Sequence, residues 1–208
     1  MNQIYEERLG TDRMLPLIFR MALPAIVAQM VNLLYNIVDR IYIGHIPGIG
    51  TPALAGIGVA GSIIILISAF SSIVAGGGAP LAAIALGQGN RQQAGKILGN
   101  GFILLLIFTV LTSTLAYIFM KPILLFTGAS EQTLGYATDY LSIYLISTLF
   151  VEISVGLNTF INTQGRPGIA MWSVMIGAFL NIMLDPLFIF GFNMGVKGAA
   201  LATIISQA

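Results

Sequence analysis

The sequence predicts an all-α membrane protein, a polytopic helical bundle, and three observations predict it. Of 208 residues, 57% are hydrophobic and only 8% are charged, whereas soluble domains carry roughly 25% charged residues. Nine Lys/Arg and eight Asp/Glu cannot cover a chain of this size in water, so most of its outer surface must face lipid. The charges also punctuate a series of apolar blocks, each near the roughly 20 residues that a helix needs to cross a bilayer.

The opening residues, MNQIYEERLGTDRM, are polar and carry both signs of charge. The apolar stretch after them is far longer than the core of a signal peptide, about 7 to 15 residues, so it is expected to stay in the mature protein. Spans are expected at 16–44, 52–76, 97–120, 137–161 and 168–191. The segment 198–208, GAALATIISQA, is helical in character but about half the length of a crossing. The sixth span is therefore incomplete, and the chain is expected to stop inside it. The Gly-rich stretch AGGGAPLAAIALGQGNRQQAGK, residues 75–96, lacks the Lys-Ser/Thr ending of a phosphate-binding loop. It is read as a tight cytoplasmic connection.

Several functions are excluded. A net charge of +1 with no Lys/Arg run offers no field for nucleic acid. With no Cys and a single His, His45, thiolate and multi-histidine metal sites are out of reach. GxSxG, HExxH and a Ser/His/Asp set are absent, so an enzyme is not expected and neither is a cofactor. Orientation follows from the retention of positive residues in the cytoplasm. With the N-terminus inside, Arg8, Arg13, Arg20, Arg91, Lys96 and Arg166 are cytoplasmic and Arg40, Lys121 and Lys197 external. Gln3 is then cytoplasmic and Glu131 external.

Ionisable residues within membrane helices are costly, roughly 2.5 to 3.5 kcal/mol on insertion scales, and usually face protein or a water-filled cavity. Asp39, Glu152 and Asp185 meet that description. Gln29, Asn32, Asn36 and Asp39 recur at spacings of 3, 4 and 3, which confines them to about 80° of one helix. Asn181 and Asp185 are four apart, and Gly177 one turn earlier lets another backbone approach. Tyr140, Tyr144, Ser147, Ser154 and Asn158 share a stripe, with Glu152 off it by about 120°. The incomplete sixth span offers Thr203, Ser206 and Gln207.

Depth selects among them. With the N-terminus inside, Asp39, Asn181, Asp185 and Thr203 all fall in the outer half of the bilayer and Tyr140 at the same level, while Asn158 lies two or more turns deeper. Asn32, Ser147 and Ser154 are read as interhelical glue, worth about 0.6 to 2 kcal/mol each. Two carboxylates at one depth repel, so either one keeps a proton or a cation sits between them. Pro24 and Pro186 each remove a backbone hydrogen bond and permit a bend. Pro186 directly follows Asp185, so a kink there could respond to protonation.

The segments ALPAIVAQMVNLLYNIVDRIYIGHI, GGAPLAAIALGQGNRQQAGKILGNG, FINTQGRP and LNIMLDPLFIFGFNMGVKGAALATIISQ, in that order, resemble the N-terminal half of multidrug and toxic compound extrusion (MATE) transporters, nearest the bacterial DNA-damage-inducible type. NIMLDPLFIF followed by GVKGAALAT carries most of the specificity. The resemblance implies one six-helix lobe, residues 1–208, of a two-lobe transporter in the bacterial inner membrane. Such a transporter exchanges H+ or Na+ for organic cations or amphipathic compounds. It further implies that Asp39, Asn181, Asp185 and Thr203 bind the coupling proton or Na+, with Tyr140, Asn158 and Asn36 in the surrounding network and Pro24 as a hinge. The partners implied are the lipid bilayer, a small organic cation and a second lobe absent from this sequence. Glu152 has no counterpart in the family pattern; either it faces the cavity and widens cation selectivity or, the reading preferred because it is off the polar stripe, it pairs locally or snorkels. Rival readings are a lipid-linked sugar flippase, which should carry more intramembrane cations, and a non-transporting half-length interaction subunit.

Overall fold

A computed structural model describes residues 14–207. Gln3, Arg8 and Arg13, on which part of the expected orientation rests, lie outside the described residues. Among these residues the chain forms helices and short turns, with no strand. The helices are α1 (Met14–Gly44), α2 (Gly50–Gly87), α3 (Arg91–Ile118), α4 (Met120–Phe126), α5 (Glu131–Thr163), α6 (Pro167–Pro186), a π-helical turn (Leu187–Gly191) and α7 (Val196–Gln207). Five stretches are long and apolar enough to cross a membrane: α1, α2, α3, α5, and α6 together with the π-helical turn.

Most element boundaries follow from local chemistry. Asn90 caps α3 by accepting the Gln93 N–H at 3.0 Å, which starts the helix six residues before the expected 97. A break at Phe119 separates α3 from α4, because Pro122 has no N–H to give the Ile118 carbonyl. The short helix α4 was not anticipated. Thr133 Oγ1 accepts the Ser130 N–H at 2.9 Å at the start of α5. Pro167 opens α6 at a position where its missing N–H is harmless.

The reading of residues 75–96 as a connection is overturned. Residues 75–87 continue α2, and the turn is confined to 88–90. Ala79, Ala82 and Phe160 form a small buried cluster there, flanked by Ile97 and Leu98. In lipid no water competes for backbone groups, so the internal hydrogen bonds of a helix hold three successive glycines and Pro80 that would break it in water.

The bundle has two parts. α2 packs on α3 and α5, while α1 packs mainly on α6, and α7 fills between α5 and α6. The larger apolar core lies toward one end, where Ile43, Ala53, Leu124, Leu141, Ile189 and Ala199 are buried. At that end Lys197 pairs with Asp139 at 3.3 Å, both half-exposed, a contact worth little. The opposite end holds a cavity of about 250 Å³ lined in part by Arg91, Gln164 and Arg166. Outward-facing Leu15, Phe19, Leu33, Ile65, Ile107 and Ile146 give the bundle the apolar exterior that lipid requires.

Candidate functional site: a buried acid pair between α1, α6 and α7

Three local devices bring the site together. Gly177 on α6 has room for no Cβ, since one would lie 2.7 Å from the Ser206 carbonyl oxygen on α7. This is the close backbone approach expected at that glycine. Gly198 at the start of α7 meets the Phe188 backbone of the π-helical turn, again at 2.7 Å from a virtual Cβ. The rings of Tyr42 on α1 and Phe190 in that turn meet edge-on, 6.4 Å between centroids. α1, α6 and α7 therefore converge at the level of residues 39 and 185.

Asp39 is 8% exposed, Thr203 is 7% exposed, and Asn181 and Asp185 are fully buried. The carboxyl groups of Asp39 and Asp185 are close enough to interact electrostatically across α1 and α6. Asn181 Nδ2 donates to Asp185 Oδ1 at 3.3 Å. Thr203 Oγ1 donates to the Ala199 carbonyl at 3.0 Å, and Tyr140 is buried as well. The Tyr140 ring stacks on Tyr144, centroids 6.1 Å apart. Gln207 Nε2 donates to the Tyr35 hydroxyl at 2.7 Å, tying the far end of α7 to α1.

Three buried oxygens in this cluster have no partner: Asp39 Oδ1, Asn181 Oδ1 and Asp185 Oδ2. Unsatisfied polar atoms away from water are costly. Two unit charges about 4 Å apart repel by roughly 4 kcal/mol at an effective dielectric of about 20. One added positive charge between α1 and α6 relieves both problems. The donors are all oxygen, which suits a proton or a hard cation such as Na+. Among the described residues no group of three or more His, Cys, Asp or Glu is placed to hold a metal ion.

Other candidates lie elsewhere. Asn36 is exposed and turns back on its own helix, donating to the Asn32 carbonyl at 2.7 Å, so it does not join Asp39 and Asp185. Asn158 donates to the Ala170 carbonyl at 3.1 Å and to Ser173 Oγ at 2.9 Å, toward the opposite end of α6, as its greater depth implied. Pro24 lies inside an unbroken α1. Pro186 closes α6, and the chain continues as a π-helical turn rather than an α-helix.

Glu152 does not snorkel. It is 1% exposed and accepts a hydrogen bond from Ser68 Oγ on α2 at 2.6 Å. Off the tyrosine stripe means toward α2, because α5 is packed on more than one side. Tyr35 was not singled out from the sequence. Its position one residue before Asn36 put it off the polar stripe, and only the fold shows that α7 reaches it.

The MatE family model matches residues 24–187. The chain is 28% identical to the multidrug export protein MepA of Staphylococcus haemolyticus over 90% of its length and 41% of that protein's. It is 29% identical to an FAD transporter of Shewanella oneidensis, over 91% of this chain and 42% of that one. A solved outward-facing multidrug resistance MATE family transporter of the MOP superfamily superposes with a TM-score of 0.84 at 26% identity, covering 92% of this chain and 42% of that one. The chain thus spans about two fifths of the length of the curated relatives it matches, and its bundle corresponds to a single lobe. A family match from residue 24 to residue 187, through the whole of α2 to α6 and well over half of the chain, shows that this chain belongs to the MatE family of membrane transporters, not to an enzyme family.

Proposed function

We propose that this lobe belongs to a secondary antiporter of the bacterial inner membrane, with its N-terminus cytoplasmic, that exchanges H+ or Na+ for an organic cation or amphipathic compound. The observation that carries this reading is the buried apposition of Asp39 and Asp185 with three unpartnered oxygens around them. In this reading Asp39, Asn181, Asp185 and Thr203 take the ion, with Tyr140 in the surrounding network. Charge neutralisation draws α1 toward α6; its loss frees α1 to move. Pro24, which cannot donate to the Arg20 carbonyl, is the bend point of α1, and the π-helical turn after Pro186 is the yielding element of α6.

Coupling needs only that ion and substrate favour different arrangements of these helices. A membrane potential supplies about 2.3 kcal/mol per charge per 100 mV. The outer wall of the substrate path is α1, whose exposed polar stripe of Gln29 and Asn36 faces away from the bundle. Relatives differ in named cargo, multidrug for one and FAD for another, so the acid pair of this chain is proposed as a coupling device rather than as the cargo's recognition element.

The test is ion-driven export in everted vesicles from cells expressing a transporter that contains this lobe. Asp39→Asn keeps size and hydrogen bonding but can neither titrate nor carry charge, and abolishes coupled export while the protein still inserts. Export at the wild-type rate, at equal expression, overturns the reading.

A further inference from the structure

A second buried acidic cluster lies on the other side of the bundle, between α2, α3 and α5. Three contacts set its register. Gly156 on α5 leaves room for no Cβ beside Leu105 on α3. Phe70 on α2 stacks on Phe108 of α3 with centroids 6.1 Å apart. Gly101 on α3 sits under the Phe160 ring, 3.3 Å from a virtual Cβ. One turn beyond Leu105 is Thr109 and one turn before Gly156 is Glu152, so these two face the same layer as Ser68 and Ser71 of α2.

The hydroxyls of this layer behave unlike the others in the lobe. Ser72, Thr112, Ser147, Thr148 and Thr203 donate to the carbonyl three or four residues earlier in their own helices, the usual resting place of a hydroxyl in a membrane helix. Ser68 instead donates across to Glu152 Oε1 at 2.6 Å. Ser71 Oγ, Thr109 Oγ1 and Ser113 Oγ are buried and have no partner at all, and neither has Glu152 Oε2. Ser71, Thr109 and Glu152 are 3%, 1% and 1% exposed. The Ser68–Glu152 contact is a direct hydroxyl–carboxyl hydrogen bond between α2 and α5. A carboxyl group in a membrane interior is costly without a charged partner, and among the described residues no Lys, Arg or His side chain pairs with Glu152. Tyr144, two turns earlier on α5, is the titratable neighbour of Glu152 and supplies no positive charge.

From this geometry we infer that Glu152, Ser71 and Thr109, with Ser68 and Ser113 beside them, form a second binding site for an alkali cation, Na+ in chemical class. The donor set is one carboxylate and hydroxyl oxygens from three helices, the hard-oxygen environment that such an ion selects. Occupancy clamps α2, α3 and α5 together away from the Asp39 pair. The inference does not depend on whether that pair couples transport.

The test is equilibrium binding of radioactive Na+ to the purified chain in nanodiscs, with helix content and melting temperature recorded for each variant. Glu152→Gln, whose amide oxygen still accepts from Ser68, lowers the number of Na+ bound per chain by one. The Glu152-dependent ion persists in the Asp39→Asn/Asp185→Asn double variant, which separates this site from the other. Thr109→Val and Ser71→Ala keep the carboxylate and weaken that ion's affinity at least tenfold. Thr109→Val decides the matter if Glu152→Gln does not fold. Unchanged stoichiometry in folded Glu152→Gln, or unchanged affinity in Thr109→Val and Ser71→Ala, overturns the inference and leaves the layer to water.

Discussion

Asp39 and Asp185 meet beside an interrupted helix, α6, whereas Glu152 meets its partners between helices that are not interrupted. On the first side α6 gives way to a π-helical turn at Leu187 and α1 carries Pro24 in mid-course. α1 touches the rest of the lobe mainly through α6, and much of it is exposed. On the second side α2 and α5 run through 38 and 33 residues unbroken, drawn close to α3 by Gly101 and Gly156. A buried charge needs a partner in either place, but the surroundings decide what its neutralisation can do. Between an interrupted helix and a half-free one it can shift a population of shapes; between continuous, close-packed ones it can only tighten the packing.

The largest expected effect separates the two sides by function. Asp185→Asn reduces ion-driven export to background, like Asp39→Asn, with surface expression within twofold of wild type as the control. Retained coupling would place the coupling acid elsewhere in the transporter and dissolve the contrast.

Close approach provides the next comparison. In Gly177→Ala the new methyl meets the Ser206 backbone, which cannot rotate away, while in Gly156→Ala it meets the end of the Leu105 side chain, which can. Gly177→Ala is expected to cost about 1 to 3 kcal/mol of stability, read as a lower melting temperature in detergent, and Gly156→Ala clearly less. Equal losses would show that the α6–α7 contact is no tighter than the α3–α5 contact.

A smaller effect is expected for Pro186→Ala. The new N–H allows a regular α-helix past residue 186, so the π-helical turn loses its cause. Ion binding should persist while the ion-induced change in Trp172 fluorescence shrinks, since Trp172 lies on the exposed face of the same α6. An undiminished change would remove the turn from the moving part.

The smallest effect belongs to Asn158→Ala. It deletes two hydrogen bonds between α5 and α6, and interhelical bonds of this kind are worth about 0.6 to 2 kcal/mol. Thermal stability should fall slightly and cation binding not at all. A loss of cation binding would return Asn158 to the acid-pair network.

The spans were legible because the bilayer imposes a length and a composition that any crossing helix must show; α1 and α6 with its π-helical turn lie within two residues of their expected limits, while α3 and α5 begin six residues earlier. Asp39, Asn181, Asp185 and Thr203 stood out for the same reason, since polar atoms are rare in such helices and periodicity places them on faces. Periodicity assigns a face to a helix, however, and not a neighbour to that face. Asn36 and Asp39 share a stripe three residues apart, yet one is exposed and the other buried against Asp185, because α6 covers only part of that stripe. Glu152 lay off its helix's polar stripe and still proved among the most buried side chains, because α5 has neighbours on more than one side. The continuation of α2 through three glycines and Pro80 was hidden by propensities measured in water, which lose their force where the backbone has no other partner. The sequence by itself determined that this chain is a bundle of membrane helices with a few expensive polar residues. Which of those residues touch was decided by tertiary packing, since contact depends on which glycine lets which helix approach.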